Sequence, residues 1–429
     1  MIKNTMPFTA VLAAVTSISA GAALAQPTSD TEATLTVVQW ANDQIISSTN
    51  NAIERFAERY PNVTIETQYV PIGGGSWGDY SNAFLNSVAA GDAPDIIASA
   101  IEGFAEIAST GLLVDLETVF AADPHAEEVM AGIDPNLMDG MRTRPTGELN
   151  FFPTEWNNIV MFYNQDMFDA AGLDYPAADW TWDDFLAAAE ALTLRDDNGN
   201  ITQYGYIVPG FNFGLQPWFL TNNASILDED WREPTVTTPE YRESLQFLHD
   251  LVHVHEVAPT YEGGVGSERF AAGQVAMFSA GHWPVPQFIA SGLENVGVQH
   301  MPQNRVQTTV FGIGGLAIVN QSDHQDLAWE FIKEMTGDIY QQELADSMRS
   351  IPSARRQATH PSYTAWPENS EIFYETAATA IPVPSPPNFA QVQEIFERHM
   401  SAYMANDQDL DTTISQLDRE LQRAMSRAY

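Results

Sequence analysis

Strand-like and helix-like segments alternate after the first thirty or so residues, and this alternation constrains the fold more than any other feature. Residues 35–40 and 95–98 are short β-prone runs, and residues 63–69 alternate between apolar and polar side chains as a strand does. Apolar residues at helical spacing fill the intervals, over 53–60 and 80–90. Strands that alternate with helices of this length predict a parallel sheet and an α/β fold.

The loops that follow two of these strands are the first candidate ligand positions. Ligands of parallel α/β sheets lie beyond the carboxyl ends of the strands. The relevant loops therefore begin after residue 40 and after residue 98. Their polar residues are Asn42, Asp43, Gln44, Ser99 and Glu102.

The N-terminus has the composition of a secretory signal peptide. Lys3 is its only charge before Asp30, a stretch of apolar and small residues extends from about 7 to 23, and Ala-Leu-Ala at 23–25 has the form that precedes cleavage. Serine, threonine and glycine interrupt this stretch, whereas a membrane span needs about 20 strongly apolar residues. Gln26 stands where a lipid-anchored product would need cysteine, so a free periplasmic protein is expected.

The charge balance excludes one class of partner and describes the surface. The chain has 18 basic and 57 acidic residues, a formal net charge of −39, and no cysteine. A nucleic-acid-binding protein needs a basic face, and this composition does not supply one. The acidic residues are spread along the chain, which indicates a solvated surface suited to saline surroundings, where the Debye length falls to about 3 Å at 1 M salt. Such a surface also disfavours a strongly anionic ligand unless arginines cluster locally.

Patterns for catalysis or metal binding are incomplete. His249, His253 and His255 could lie near one helix face, but no His-Glu-x-x-His arrangement or cysteine accompanies them. The segment that begins at Asp196 resembles a calcium loop, yet its glycine is at the fourth position instead of the sixth. The glycine run at 73–76 lacks the Lys-Ser/Thr ending of a phosphate loop. We therefore expect no catalytic residue, no metal and no cofactor.

Tryptophans beside glycine, proline and polar residues point to another kind of site. Trp156, Trp218 and Trp283 have such neighbours, in a chain with 10 Trp and 14 Tyr. Flat rings can stack on the apolar faces of sugars while carboxylates and amides bind the hydroxyl groups. A core role is the competing interpretation for each ring; for the set, the pattern favours a pocket.

Several short motifs then follow one another in a fixed order. They are Gly-Asp-Ala-Pro-Asp-Ile at 91–96, Gly-Leu-Leu-Val-Asp-Leu at 111–116, Tyr-Asn-Gln-Asp at 163–166, Thr-Trp-Asp-Asp at 181–184, Phe-Ala-Ala-Gly-Gln-Val-Ala-Met at 270–277, Gly-His-Trp at 281–283, Gly-Gly at 314–315 and Ala-Trp-Glu-Phe-Ile-Lys at 328–333. In this order, the chain resembles the carbohydrate-type extracellular solute-binding proteins of ATP-driven importers, the family that includes maltose-binding protein.

The resemblance implies a type II periplasmic-binding-protein fold, in which two α/β lobes are joined by three crossing segments and hold the ligand between them. By position, the crossings are expected near 152–158, 311–315 and 349–353. The implied organisation is a signal peptide at 1–25, an N-terminal lobe of 26–152 plus 316–350, and a C-terminal lobe of 153–315 plus 351–429.

The resemblance also implies a set of ligand contacts, beginning with the five loop residues given above. Where maltose-binding protein has a lysine and a tryptophan in these loops, this chain has Ile45 and Ser99, so maltose itself is in doubt. The remaining implied contacts are Glu155, Trp156 and Asn157 in the first crossing, Gly314 in the second, Trp218 and Trp283 in the second lobe, and Asn388 and Phe389 after a proline-rich connector.

The implied function is capture of a sugar or oligosaccharide and its delivery to the membrane permease of an ABC transporter, by a monomer that is not an enzyme. An alternative is the same fold with glycerol-phosphate or another small anionic or polyol solute as ligand. Arg349, Arg355 and Arg356, near the third crossing, keep this alternative open. A secreted carbohydrate-active enzyme is a further alternative, which would need two carboxylates on either side of the scissile bond.

Overall fold

The structure is a computed structural model that describes residues 27–429 with the exception of 72–76, 121–122, 145 and 265. The signal peptide predicted over 1–25 and the glycine run at 73–76 lie outside the described residues. None of the described helices is both long and apolar enough to span a membrane.

Strands and helices alternate through most of the chain. The strands are β1 Ala33–Ala41, β2 Val63–Pro71, β3 Ile96–Ala100, β4 Phe152–Asn158, β5 Val160–Asn164, β6 Leu194–Arg195, β7 Ile201–Gln203, β8 Met277–Ala280, β9 Val296–Gln299, β10 Val310–Ile318, β11 Ile351–Pro352 and β12 Ile381–Pro382. The helices are α1 Asp43–Arg59, α2 Trp77–Ala89, α3 Ile101–Ala108, α4 Glu117–Phe120, α5 Pro124–Ala131, α6 Pro135–Gly140, α7 Gln165–Ala171, α8 Trp182–Leu192, α9 Asn212–Leu220, α10 Pro239–His253, α11 Ser267–Ala271, α12 Val285–Ala290, α13 Gln325–Glu334, α14 Asp338–Ser347, α15 Arg355–Ala358, α16 Ile372–Glu375, α17 Phe389–Met404 and α18 Leu410–Ala428, with a 3₁₀ turn at Thr376–Ala378.

The larger sheet has the order β11-β4-β10-β3-β1-β2, and β12 pairs with β10. Strand β1 is parallel to both β2 and β3, as the strand-helix alternation predicts. Strand β10 is antiparallel to β3 and to β4, so the sheet as a whole is mixed. The parallel strands are apolar on both faces because helices cover them, and Leu35, Val37, Ile96 and Ile97 are buried.

A smaller antiparallel sheet, β8-β5-β9, forms the centre of the second half of the structure. Only Ile159 separates β4 of the larger sheet from β5 of the smaller one, so the chain passes from one sheet to the other at this point. The three predicted crossings fall on β4, on β10 and on the segment that ends in β11, and these strands are neighbours in the larger sheet. The residues at which each lobe begins and ends remain a prediction.

Helix α1 begins earlier than its apolar spacing predicts. Asn42 is its N-cap, with the side-chain Oδ1 accepting hydrogen bonds from the backbone N–H groups of Gln44 and Ile45 at 3.1 and 3.0 Å. Asp43 and Gln44 therefore lie in the first helical turn, and the prediction that they belong to a loop is wrong. The negative charge of Asp43 at this end is favourable to the helix dipole.

Candidate functional site

A cavity of about 640 Å³ lies where the two sheets meet. Its walls come from the ends of β1 and β3, from the crossing strands, from the start of α9, from the loop after β8 and from α17. The structure brings eight of the predicted contact residues to this cavity. They are Asn42, Glu102, Glu155, Trp156, Asn157, Trp283, Gly314 and Phe389.

The base of the cavity is formed by the paired strands β4 and β10. Asn157 lies opposite Gly312, and Glu155 lies opposite Gly314, in the antiparallel register. Directly opposite residues project to the same face of a sheet, so all four share the face that lines the cavity. A Cβ atom at 314 would lie 3.0 Å from the Trp40 ring, so any larger residue there would force this ring to shift.

The ring of Trp156 belongs to the opposite face of β4. Side chains alternate between the two faces of a strand, so Trp156 points away from the face of Glu155 and Asn157. Its ring packs edge-on against Phe311 and Tyr374, with centroids 6.5 and 5.8 Å away, and the residue is 1 % exposed. Trp156 is therefore at the boundary of the cavity but offers no open ring surface for stacking.

Two glutamates at the cavity have raised pKa values. Burial raises the pKa of Glu102 to about 7, and no side chain in the described part of the chain donates a hydrogen bond to its carboxylate. Burial also raises the pKa of Glu155, and the nearby Ser350 hydroxyl and Arg349 guanidinium act in the opposite direction. The Oε2 atom of Glu155 is buried without a hydrogen-bond partner among the described residues. Glu102 can therefore accept further hydrogen bonds at the cavity, whereas the unpaired oxygen of Glu155 lies beneath the cavity surface.

Asn42 contributes to the first wall in a limited way. Its side-chain oxygen is used to cap α1, which leaves the amide nitrogen as the group it can offer to a ligand. Asp43 is exposed and Gln44 partly exposed, and neither residue lines the cavity. Of the three polar residues in this predicted loop, the structure places one at the cavity.

The opposite wall is aromatic. Trp283 lies between Phe211 and Phe213, with ring centroids 6.2 and 6.3 Å away, and all three rings are partly exposed. Gly281 makes this position of Trp283 possible, because a Cβ atom at 281 would lie 2.2 Å from the tryptophan ring and 2.6 Å from the carbonyl oxygen of Asn158. We refer to Phe211, Phe213 and Trp283 as the aromatic wall. Flat apolar surfaces of this kind can stack on the C–H faces of a sugar.

Helix α17 presents one face to the cavity. Phe389, Gln393 and Glu397 are four residues apart and therefore lie on one side of the helix. The Glu397 Oε1 atom accepts hydrogen bonds from the backbone N–H of Asn212, at 3.0 Å, and from Nε2 of Gln393, at 2.9 Å. These bonds fix the start of α9, and hence the aromatic wall, relative to α17.

Besides Asp43 and Gln44, three further predicted contacts lie away from the cavity. Strand β3 continues through Ser99, which is 0 % exposed and packs beneath α3, where a Cβ atom on Gly103 would lie 2.6 Å from its hydroxyl. Trp218 is also 0 % exposed, and its Nε1 donates to the Tyr206 hydroxyl at 3.1 Å within the core around β8. Asn388 donates to the carbonyl oxygen of Ala424 at 3.2 Å and so connects α17 to α18.

The three arginines near the third crossing have different positions. Arg349 lines the cavity and makes no ion pair within the described residues. Arg355 pairs with Asp134 at 2.9 Å, and Arg356 pairs with Asp338 at 2.5 Å, and neither lines the cavity. The cavity therefore has one arginine against the three glutamates at 102, 155 and 397. No group of three or more residues able to hold a metal ion occurs in the described part of the chain.

Sequence reasoning missed several cavity residues. For two of them, Gln393 and Glu397, the sequence contains a signal, because their helical spacing from Phe389 places them on the same helix face as a predicted contact. Phe211 and Phe213 follow a Pro-Gly pair and have no distinguishing pattern in the sequence. Trp40 lies at the end of a strand, where the rule for α/β ligand sites applies, but an apolar residue there is also typical of the core.

Comparisons with known proteins identify relatives of this chain. It is 28 % identical over 197 residues to an arabinooligosaccharide-binding protein of Halalkalibacterium halodurans, an alignment that spans 43 % of this chain and only 43 % of that relative's length. An ABC substrate-binding protein from Listeria monocytogenes, in complex with cycloalternan, superposes with a TM-score of 0.78 at 23 % identity, covering 92 % of this chain and 100 % of that one. A solute-binding protein of an ABC transporter from Thermotoga lettingae, bound with alpha-D-tagatose, gives 0.74 at 22 %, again covering 92 % and 100 %.

These superpositions confirm the two-lobed α/β fold that the motif order implies. The family model described as bacterial extracellular solute-binding protein matches residues 41–342, which is more than half of the chain and includes the whole smaller sheet and strands β2, β3, β4 and β10 of the larger one. The protein belongs to the family of bacterial extracellular solute-binding proteins.

Proposed function

We propose that this protein captures a sugar or oligosaccharide between its two lobes and delivers it to the membrane permease of an ABC importer. The observation that carries the proposal is the composition of the cavity. The aromatic wall lies on one side, and Asn42, Glu102, Glu155 and Asn157 supply amide and carboxyl groups from the first lobe and the crossings. A sugar has both kinds of surface, apolar C–H faces and a rim of hydroxyl groups.

The charges at the cavity favour a neutral ligand over an anionic one. Three glutamates and one arginine line it, and the chain as a whole has a formal net charge of −39. Glycerol-phosphate would place its phosphate in this negative field, where Arg349 is the one cation among the described residues that line the cavity. A sugar hydroxyl, in contrast, can donate to the carboxylate of Glu102, which accepts no hydrogen bond from a side chain of the described residues.

The same arrangement gives the means of capture. The aromatic wall belongs to the second lobe, while Glu102 and Asn42 belong to the first, so a sugar that touches both bridges the lobes. A ligand shifts a conformational equilibrium only to the extent that it binds one state better. A bridging sugar makes more contacts when the lobes approach, so it favours the closed form, and this form is the one we propose the permease recognises.

We also propose that the protein performs no chemical step on its ligand and that it acts outside the cytoplasm. The family consists of extracellular binding proteins, and the chain's relatives are binding proteins by name. Periplasmic release after cleavage of the predicted signal peptide at 1–25, without a lipid anchor, and a monomeric state are part of the proposal and rest on the sequence.

A ligand screen tests the proposed function. The purified mature protein is heated with L-arabinose, arabino-oligosaccharides, tagatose, cycloalternan, malto-oligosaccharides and glycerol-3-phosphate, and each positive is titrated by calorimetry. A ligand at a hundred times its Kd raises the free energy of unfolding by about 2.7 kcal/mol, which shifts Tm by several degrees. We expect a neutral sugar to do this and glycerol-3-phosphate not to. Stabilisation by glycerol-3-phosphate and by none of the sugars would contradict the proposed function and support an anionic ligand instead. Conversion of a bound sugar into products would contradict a role in binding alone.

A further inference from the structure

The two long crossing strands, β4 and β10, each have one residue that is not buried, and both of these residues line the cavity. Of the nine residues of β10, Gly312 is the one that is not buried. Of the seven residues of β4, Asn157 is the one that is not buried. These two residues lie directly opposite each other in the antiparallel register. Strands β4 and β10 therefore expose a single patch, formed by the backbone of Gly312 and the side chain of Asn157.

The space above this patch is bounded from both lobes. A Cβ atom placed on Gly312 would lie 3.3 Å from Cε2 of Phe213 and 3.7 Å from Oε1 of Glu102. Phe213 belongs to α9 of the second lobe, and Glu102 belongs to the first turn of α3 of the first lobe. An aromatic ring from one lobe and a carboxylate from the other therefore both lie within 3.7 Å of this position.

Asn157 supplies a third kind of group at the same place. Its Oδ1 accepts a hydrogen bond from the backbone N–H of His282 at 3.2 Å. This bond fixes the orientation of the amide, so the NH₂ group is directed as a donor and has no partner among the described residues. The patch thus combines an oriented donor, a carboxylate acceptor and an apolar ring around a residue without a side chain.

We propose that Gly312, Asn157, Glu102 and Phe213 form a central subsite that holds one sugar ring on the bare backbone of β10. This inference rests on the proposed function and specifies where the ligand lies. The apolar face of the sugar contacts Phe213, and its hydroxyl groups bind Glu102 and the amide of Asn157. A longer ligand continues from this ring toward Trp283, whose ring centroid is 6.3 Å from that of Phe213.

The absence of a side chain at 312 determines the depth of the central subsite. The backbone of Gly312 has no positive φ, so its conformation does not require glycine. An added Cβ atom would lie 3.3 Å from Cε2 of Phe213, a tight contact that a small movement of this partly exposed ring relieves. A methyl group at 312 would instead occupy the volume between Phe213 and Glu102 that the sugar ring needs. Gly312 is therefore a specificity-determining residue whose role is to leave space.

The test is Gly312→Ala, with Gly337→Ala as the matched control. Gly337 also has extended backbone, and a Cβ atom there would lie 3.1 Å from the carbonyl oxygen of Lys333, but it is at the start of α14 and does not line the cavity. The probes are the one-ring and three-ring sugars of the series that the wild-type protein binds, either L-arabinose and arabinotriose or glucose and maltotriose. Affinity is measured by calorimetry and Tm without ligand.

Gly312→Ala should weaken both probes by about tenfold, as expected when a methyl group is forced into a filled contact, and should leave Tm close to the wild-type value. Gly337→Ala should leave both affinities unchanged. Wild-type affinity in a folded Gly312→Ala variant would overturn the central subsite while leaving the proposed function intact. A wild-type protein that binds none of the sugars would contradict the proposed function instead.

If Gly312→Ala does not fold, Phe213→Ala tests the same central subsite by removing the aromatic ring that contacts the sugar. Because both probes place a ring on Phe213, their affinities should fall by the same factor, about two- to tenfold for loss of one ring contact. Trp283→Ala is the comparison, and it should weaken the three-ring probe more than the one-ring probe. An unchanged affinity of Phe213→Ala for the one-ring probe would rule out the central subsite.

Discussion

Two aromatic clusters in the same half of the molecule have opposite roles. Around Trp218, the rings of Phe185 and Tyr206 lie within 4.9 and 5.6 Å, and the indole N–H donates to the Tyr206 hydroxyl, which in turn bonds Ser279 at 2.8 Å. Around Trp283, the rings are 6.2 and 6.3 Å apart and partly exposed. The first cluster satisfies its polar groups internally, whereas the second leaves ring surface facing a cavity.

The difference shows that composition near a tryptophan does not identify a binding residue. Trp218 and Trp283 both have proline and polar neighbours in the sequence, and both were expected at the ligand. What separates them is the element that holds them. Trp218 lies within α9 and points to the core, while Trp283 lies in the loop after β8, where Gly281 allows it to fold back over the chain.

We call the buried cluster around Trp218 the closed cluster and the aromatic wall around Trp283 the open cluster. The largest expected effect of a substitution is on the closed cluster. Trp218→Ala removes a fully buried indole and leaves a cavity, so it should lower the free energy of unfolding by about 3–5 kcal/mol. Chemical denaturation monitored by circular dichroism measures this, and ligand affinity of the remaining folded protein should change little. A loss of affinity with unchanged stability would mean that Trp218 belongs to the site after all.

The next largest effect is expected at Gly281, which lies against the Trp283 ring of the open cluster. Gly281→Ala introduces a Cβ atom 2.2 Å from the Trp283 ring and 2.6 Å from the carbonyl oxygen of Asn158. The resulting displacement should lower the free energy of unfolding by about 1–3 kcal/mol and should also weaken sugar binding, because the aromatic wall moves. Differential scanning calorimetry with and without sugar separates the two effects. Full retention of affinity would show that the position of Trp283 does not matter to the ligand.

A smaller effect on stability, but a direct effect on binding, is expected for Trp283→Ala. The ring is partly exposed, so its loss should change Tm far less than Trp218→Ala does. Loss of one stacking partner is worth about 0.5–1.5 kcal/mol, or a two- to tenfold weaker sugar affinity by calorimetry. If the two tryptophan variants had equal Tm values, the contrast between closed and open clusters would fail.

The smallest expected effect is a pH dependence at Glu102, which lines the same cavity as the aromatic wall. Burial raises the pKa of Glu102 to about 7 from an ordinary value of 4.5, so the folded protein holds this proton to higher pH than the unfolded chain does. The contribution of Glu102 to stability is therefore complete below about pH 4.5 and is lost as the pH rises through 7. Because Glu102 is only partly buried, we expect a change of at most about 1 kcal/mol. Glu102→Gln should remove this component from a series of denaturation curves at pH 4.5–8, and an unaltered pH dependence would contradict it.

Sugar affinity should follow the same titration in the opposite direction. The ionised carboxylate accepts hydrogen bonds from two hydroxyl groups, whereas the protonated form loses part of this capacity. We expect binding to weaken as the pH falls from 8 to 6 in the wild type, but not in Glu102→Gln. Tyr206, in the closed cluster, has a pKa raised further above its ordinary value by burial, and it stays protonated throughout this range.

Local sequence signals predicted the fold well where one physical effect dominates. Thr181 and Asp184 form the capping box that begins α8, a local pattern that is already present in the sequence motif at 181–184. Helix α1 began ten residues before its predicted start, because its first turns have a weak apolar pattern and only the cap at Asn42 indicates them. Strand β3 extended past Ala98, and this extension moved Ser99 from a loop to the interior.

The site was less predictable because it depends on tertiary neighbours. Glu155 and Asn157 were expected at the cavity, yet the alternation of side chains along β4, which the sequence already contains, directs Trp156 to the other face. Phe211, Phe213 and Glu397 join the site only because α9 and α17 meet at the hydrogen bond between Glu397 and Asn212. No local pattern encodes a contact between residues 185 positions apart.

The pairing of β11, β4 and β10 has a mechanical consequence. These strands connect the two sheets, and they are hydrogen-bonded side by side instead of crossing as separate threads. Any rotation of one half of the molecule against the other must bend all three together, since bending one alone would shear the bonds to its neighbour. The three strands therefore bend as one unit, most easily perpendicular to the plane of the sheet. A substitution in any one of them should alter the bending stiffness of all three.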